Sequence, residues 1–195
     1  MTDRISGTVS SGGFTPRVTA TYARPADNTA YSVGDLIGNS GTANLVVPIS
    51  FTVGRLSGGG SGRITGARCV VTAASGTIVL PAFDLLLFRP ESNIPFAAAG
   101  YPADNAALNV TSAAMLQLVG VLAFSSTNWR NQAGGSTAAG TQIYQATGFV
   151  NRPYAPFNLD TTALQTILGL LQAQNTWTPT GVVNTFDIAL DVDQD

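Results

Sequence analysis

Asp84 lies inside the apolar run Phe83-Asp-Leu-Leu-Leu-Phe88, and Glu91 follows seven residues later. Apolar neighbours disfavour the charged form of a carboxyl and raise its pKa, the setting of a general acid. With a second carboxylate in reach, the pair has the residue types of a glycan hydrolase. The competing and preferred reading puts Asp84 near the start of a strand, paired with an arginine such as Arg68 or with backbone amides. Asp191, Asp193 and Asp195 have the alternate spacing of a calcium loop, but the glycine turn and the closing glutamate of such a loop are missing. Ser57-Gly-Gly-Gly-Ser-Gly-Arg63 has the glycines of a phosphate cradle without the Lys-Ser/Thr ending, so it reads as a flexible loop between strands. Asp160-Thr-Thr162 lacks the glycine and the second copy that an aspartic protease needs.

The rest of the catalytic repertoire is thin. The chain has no histidine and no lysine, one glutamate (Glu91) and one cysteine (Cys69). A Ser-His-Asp or Cys-His system, a Schiff-base lysine and a His/Cys zinc site therefore cannot be assembled. The sequence points to a non-enzymatic protein, and it assigns no catalytic residue, no cofactor and no metal ligand.

Charged residues are 10% of the 195, against about 25% in an ordinary soluble domain. Thr, Ser, Asn, Gln and Ala take their place, which leaves little repulsion between copies packed side by side. All nine cationic residues are arginine. Arginine is weakly hydrated and enriched where protein surfaces meet, although GC-rich coding gives the same bias. A net charge of −2 with no basic run argues against a nucleic-acid partner. Residues 1–13 lack the apolar core of a secretory signal, and no apolar stretch approaches the ~20 residues of a membrane helix. A single cysteine rules out a disulfide framework and suits synthesis in a reducing cytoplasm.

The elements that must position these residues are strands. In Leu45–Val53 the odd positions Val47, Ile49, Phe51 and Val53 are apolar and Ser50 and Thr52 polar, and Pro48 implies that the strand lies at a sheet edge or begins pairing only after the proline. Arg17–Tyr22 alternates likewise, and further strands are expected at Ile64–Thr72, Thr77–Leu80, Phe83–Phe88, Leu118–Ser125 and Gln142–Val150. In Thr185–Asp195, Phe186, Ile188, Leu190 and Val192 make an apolar face. Asp187, Asp191, Asp193 and Asp195 make an acidic face that reads as solvated or paired with arginine. Thr161–Gln174 is ambiguous: Leu164, Ile167, Leu168 and Leu171 fit a helical stripe, while Gly169 and the following turn residues favour a buried strand, the reading adopted. The expectation is an all-β chain, an antiparallel β-sandwich or jelly roll of about eight to ten short strands. Residues 1–13 are expected to form a flexible N-terminal arm and residues 14–195 a single β-sandwich domain.

Several blocks resemble virion proteins of tailed bacteriophages. They are Arg24-Pro-Ala-Asp-Asn-Thr-Ala-Tyr-Ser-Val-Gly-Asp-Leu-Ile-Gly38, Gly62-Arg-Ile-Thr-Gly-Ala67, Pro81–Phe88, Asp104-Asn-Ala-Ala107, Leu118–Phe124 and Trp177-Thr-Pro-Thr-Gly181, in that order. The resemblance spans about Arg17 to Val192 and implies a capsid decoration or cement protein on the outside of the head, made in the host cytoplasm. The implied partners are the major capsid protein and further copies of the chain, as a homotrimer or homodimer, with no nucleic acid and no membrane. The N-terminal arm and the loop Gly134–Gly140 suit contacts to neighbouring subunits. Arg4, Phe14, Arg17, Arg152 and Tyr154 are the expected interface residues. Two rivals remain: a tail or fibre-associated glycan-binding module using Trp129, Trp177 or Tyr101 as sugar platforms, and a carboxylate-only hydrolase using Asp84 and Glu91.

Overall fold

The computed structural model describes residues 17–39, 46–52, 60–73, 79–88, 103–108, 110–131, 142–150, 155–159 and 166–194. The strands are β1 (Arg17–Arg24), β2 (Ile49–Thr52), β3 (Gly60–Ala73), β4 (Phe83–Phe88), β5 (Leu118–Phe124), β6 (Arg130–Asn131), β7 (Gln142–Val150), β8 (Ala155–Leu159), β9 (Thr166–Ala173) and β10 (Asn184–Gln194). One helical turn, α1 (Ser112–Met115), accompanies them. Pairing is antiparallel and nested: β1 with β10, β2 with β9, β3 with β7 and β4 with β5. Further ladders between β10 and β3 and between β4 and β9 join the pairs into two rows, β1-β10-β3-β7 and β2-β9-β4-β5. The end of β7 crosses from one row to the other, pairing Phe149 and Val150 with Ala123 and Leu122. The protein is an all-β antiparallel sandwich.

Side-chain alternation explains which faces meet. Phe186, Ile188, Leu190 and Val192 of β10 are fully buried, as are Phe51 of β2 and Ile64, Ala67, Cys69 and Val71 of β3, and all belong to one core between the rows. Phe83 anchors that core, stacking on Phe124 at 4.7 Å and meeting Phe186 edge-on at 5.8 Å. In β4 the odd residues Phe83, Leu85 and Leu87 face this core. Leu86 and Phe88 face a second cluster with Leu36, Val46 and Leu170, covered by partly buried Leu108 and Val110. The unbroken apolar run Leu85–Phe88 of β4 thus reflects a strand covered on both faces.

Segment Thr166–Ala173 is a strand, as read from the sequence; residues 161–165 of the ambiguous stretch lie outside the described ones. Gly169 makes the close packing there possible. A Cβ at that position would lie 2.9 Å from both Ile49 and Phe51 and 3.0 Å from Leu85. β2 lies at the end of its row and starts at Ile49, directly after Pro48, in agreement with both readings of the proline.

Two expectations fail. Val79 and Leu80 are in no strand, because the carbonyls of this connection serve side chains: Val79 O accepts from Trp177 Nε1 at 2.7 Å and Pro81 O from Trp129 Nε1 at 2.9 Å. The glycine-rich stretch Ser57–Arg63 is not wholly a loop. Its last four residues open β3 and pair with β8, Gly60 with Leu159 through Arg63 with Pro156. Backbone pairing supplies there what small side chains do not.

Candidate functional site

Among the described residues the sandwich contains one buried cluster of polar side chains, at the end of β1. Val18, Ala20, Tyr22 and Arg24 share the inward face of this strand. Arg24 therefore enters the protein and is fully buried. Its guanidinium lies over the rings of Tyr31 (5.7 Å) and Trp177 (5.4 Å), which stack on each other at 5.1 Å. Its nitrogens donate to Tyr31 Oη (3.3 Å), Pro25 O (2.7 Å), Asp27 O (2.6 Å) and Asp27 Oδ1 (2.8 Å). The desolvated charge is thus neutralised by one carboxylate and solvated by backbone carbonyls, the condition under which a buried cation is tolerated.

Asp104 closes the cluster from the other side. Its Oδ1 accepts from Tyr31 Oη at 2.8 Å and from Gly38 N at 2.6 Å. Asn105 follows in the left-handed region at φ 58° and donates its N–H to Leu36 O at 3.0 Å. Asp27, Thr29, Asp104 and Asn105 line a cavity of about 210 Å³. Burial, with the Asp104 carboxylate second, raises the phenol pKa of both Tyr22 and Tyr31 well above the ordinary range. Neither phenol is a base at neutral pH. Among the described residues, Tyr22 Oη, Asn105 Oδ1 and Asn184 Oδ1 are buried without a hydrogen-bond partner. The arrangement clips segments 24–38, 103–108 and the Trp177 turn together, and it contains no activated nucleophile.

A second polar feature is open to solvent. On the outer face of the β1-β10-β3 row, Arg17, Thr19, Thr21, Arg68, Val70, Asp187 and Ala189 line a trough of about 440 Å³. Asp191 stands at its end between two arginines, 3.6 Å from Arg17 Nε and 4.0 Å from Arg68 Nε. Asp187 Oδ1 accepts from Thr21 Oγ1 at 2.7 Å. Asp187 and Asp191 of the acidic face are thus met by threonine and arginine, while the side chains of Asp193 and Asp195 lie outside the described ones. Beneath it, burial and then Asp187 push the Cys69 thiol pKa up, so this thiol is inert.

The sequence-derived candidates fare unequally. Arg17 lies on the trough, whereas Arg4, Phe14, Arg152, Tyr154, Tyr101, Glu91, the N-terminal arm and the loop Gly134–Gly140 lie outside the described residues. Trp129 and Trp177 are 7% and 2% exposed with both indole N–H groups engaged, so neither is a sugar platform. Asp84 does not pair with Arg68, which belongs to the opposite row and approaches Asp191 instead. Among the described residues Asp84 has no hydrogen-bond or ion-pair partner, and burial raises its pKa. No group of three or more His, Cys, Asp or Glu among the described residues is placed to hold a metal ion. Sequence reasoning missed the roles of Arg24, Tyr31, Gly38 and Asp104. Arg24-Pro-Ala-Asp27 carried the only local signal, a cation and a carboxylate three residues apart across a proline. No protein-family model and no curated protein matches the chain.

Proposed function

We propose that the chain is a non-enzymatic virion protein of a tailed bacteriophage that decorates the capsid and stabilises it by bridging major capsid subunits. The observation that carries this reading is where the phage-like blocks fall. Arg24–Gly38, Asp104–Ala107 and Trp177–Gly181, far apart in sequence, supply Arg24, Tyr31 and Gly38, then Asp104, then Trp177, to one buried cluster. Blocks that meet in space are blocks whose order in the chain has a structural reason. The nested strand pairing adds support: we read it as a jelly roll, an architecture used by viral capsid and lectin domains.

The chemistry of the described residues favours binding over catalysis. The Arg24 charge, Tyr31, Trp129 and Trp177 are engaged in holding the sandwich together, and Asp84, a half-buried carboxylate, stands without a partner among the described residues. A ligand that binds only the intact shell stabilises it by mass action over many copies, so each contact can be modest. Cryo-electron microscopy of particles from the source tests the reading. Copies are expected on the icosahedral head lattice, and particles lacking the protein are expected to rupture earlier on heating or at low ionic strength. Copies found only on the tail, or particles equally robust without the protein, would overturn it.

A further inference from the structure

We propose that the trough on the outer face of the β1-β10-β3 row is a binding site for a neutral saccharide. The register places Ala189 at its centre, with Thr19 and Arg68 as cross-strand neighbours. One step along the pleat in one direction are Arg17 and Asp191, and in the other Thr21, Asp187 and Val70. The result is a small apolar floor inside a polar ring, and about 440 Å³ falls within the usual size of small-molecule sites.

Charge and hydrogen-bonding capacity select the ligand class. Arg17 and Arg68 balance Asp187 and Asp191, so neither an anion nor a cation gains net attraction. A phosphate, an anion whose oxygens chiefly accept hydrogen bonds, would face two carboxylates. Hydrogen-bonding capacity remains in the ring. The two arginine–aspartate approaches, at 3.6 and 4.0 Å, are longer than hydrogen bonds. Among the described residues neither guanidinium donates one. The guanidinium groups offer planar, fixed donors and the carboxylates fixed acceptors. A sugar hydroxyl both donates and accepts, and a pyranose presents a ring of hydroxyls around an apolar C–H face. Such a ring matches donors and acceptors alternating around Ala189 and Val70. With no aromatic platform, affinity is weak, about millimolar.

This inference does not depend on capsid binding. The experiment is a titration of the isotope-labelled protein, followed by amide chemical shifts, with lactose, cellobiose, methyl α-mannoside and N-acetylglucosamine, and with inorganic phosphate and a heparin disaccharide as anionic comparisons. At least one neutral sugar is expected to give saturable shifts confined to Thr19–Thr21, Arg68–Val70 and Asp187–Ala189. Ala189→Leu, which fills the floor, should weaken binding at least about tenfold at an unchanged Tm, and Asp187→Asn should do so by removing an acceptor. The proposal is overturned if no neutral sugar shifts these amides at about 50 mM, if the anions shift them more strongly, or if Ala189→Leu leaves the titration unchanged. Head decoration by the Ala189→Leu protein is scored separately, so loss of one activity is distinguishable from loss of the other.

Discussion

Replacing Gly38 by alanine tests the buried clip at its tightest point. The backbone of Gly38 has no left-handed φ that demands glycine; the constraint is space. An added Cβ would sit 2.6 Å from the Cβ and Cγ of Asp104 and 2.8 Å from its Oδ1, about 1 Å inside normal carbon contact. Asp104 cannot move freely, because the chain beside it is fastened by Asn105 N–H to Leu36 O (3.0 Å) and Leu36 N–H to Ala106 O (2.8 Å). Relieving the overlap must therefore stretch the bonds from Gly38 N and Tyr31 Oη to the carboxylate. Overpacking costs about 1–3 kcal/mol, and weakening one charge-assisted hydrogen bond about 1.5–3 more, for a total of about 2.5–6 kcal/mol. For a chain of this size, at about 2–4 °C per kcal/mol, Tm should fall by about 10 °C. Calorimetry on the purified protein measures it, and the Asp104→Gly background supplies the control. With the opposing Cβ removed, the added cost of Gly38→Ala should drop below about 1 kcal/mol. A Tm within about 2 °C of wild type, or an equal loss in both backgrounds, would refute the clip as described.

Arg24→Lys should cost about 2–4 kcal/mol in denaturant unfolding, because one ammonium cannot reach Pro25 O, both Asp27 oxygens and Tyr31 Oη at once. The fluorescence of Trp177, beneath the guanidinium, should change with it. Tyr22→Phe should be neutral or stabilising by up to about 1–2 kcal/mol, since it deletes a buried hydroxyl without a partner. A clear loss would reveal a partner for that group. Asp84→Asn should stabilise the protein at neutral pH. Burial raises the folded-state pKa of Asp84 above its unfolded value, so its contribution is fully present below the unfolded pKa and is lost as pH rises through the folded one. The advantage of the variant should therefore grow between about pH 3 and pH 7; an advantage that shrinks over that range would contradict the sign.

Strand positions were legible because period two is a local property. The alternation of Phe186 through Val192 and of Ile49 and Phe51 is visible without knowing what either strand faces. Gly169 could be read correctly for the same reason, since a glycine inside an apolar stripe signals close approach in a sheet more readily than a helix interior. β6 and β8 were missed: one has two residues, and the other has Pro156 within it, so neither has alternation to detect. Val79 and Leu80 looked like the end of a strand at Thr77–Leu80, yet Val79 is exposed and Leu80 partly buried, so their apolar character marked neither pairing nor full burial; Thr77 and Ile78 lie outside the described residues. The indoles of Trp129 and Trp177 take carbonyls of residues 79–81, which no local pattern announces.

The polar sites were hidden by topology. Arg68 and Asp84 lie sixteen residues apart and seemed natural partners, yet nested pairing puts β3 and β4 in opposite rows, so the sandwich separates them. The same nesting brings β1 beside β10, which is why Arg17 meets Asp191 and why Arg24, at the other end of β1, meets the Trp177 turn that leads into β10. Separation in sequence is therefore a poor guide to partners here: the outermost strands pair with one another. That arrangement also relates the two polar features. Odd positions of β1 (Arg17, Thr19, Thr21) build the open trough, and even positions (Tyr22, Arg24) build the buried clip, on opposite faces of one strand. A one-residue slip of β1 against β10 would bury Arg17 and expose Arg24, destroying both at once, so the clip that fixes the register of β1 also fixes the geometry of the trough.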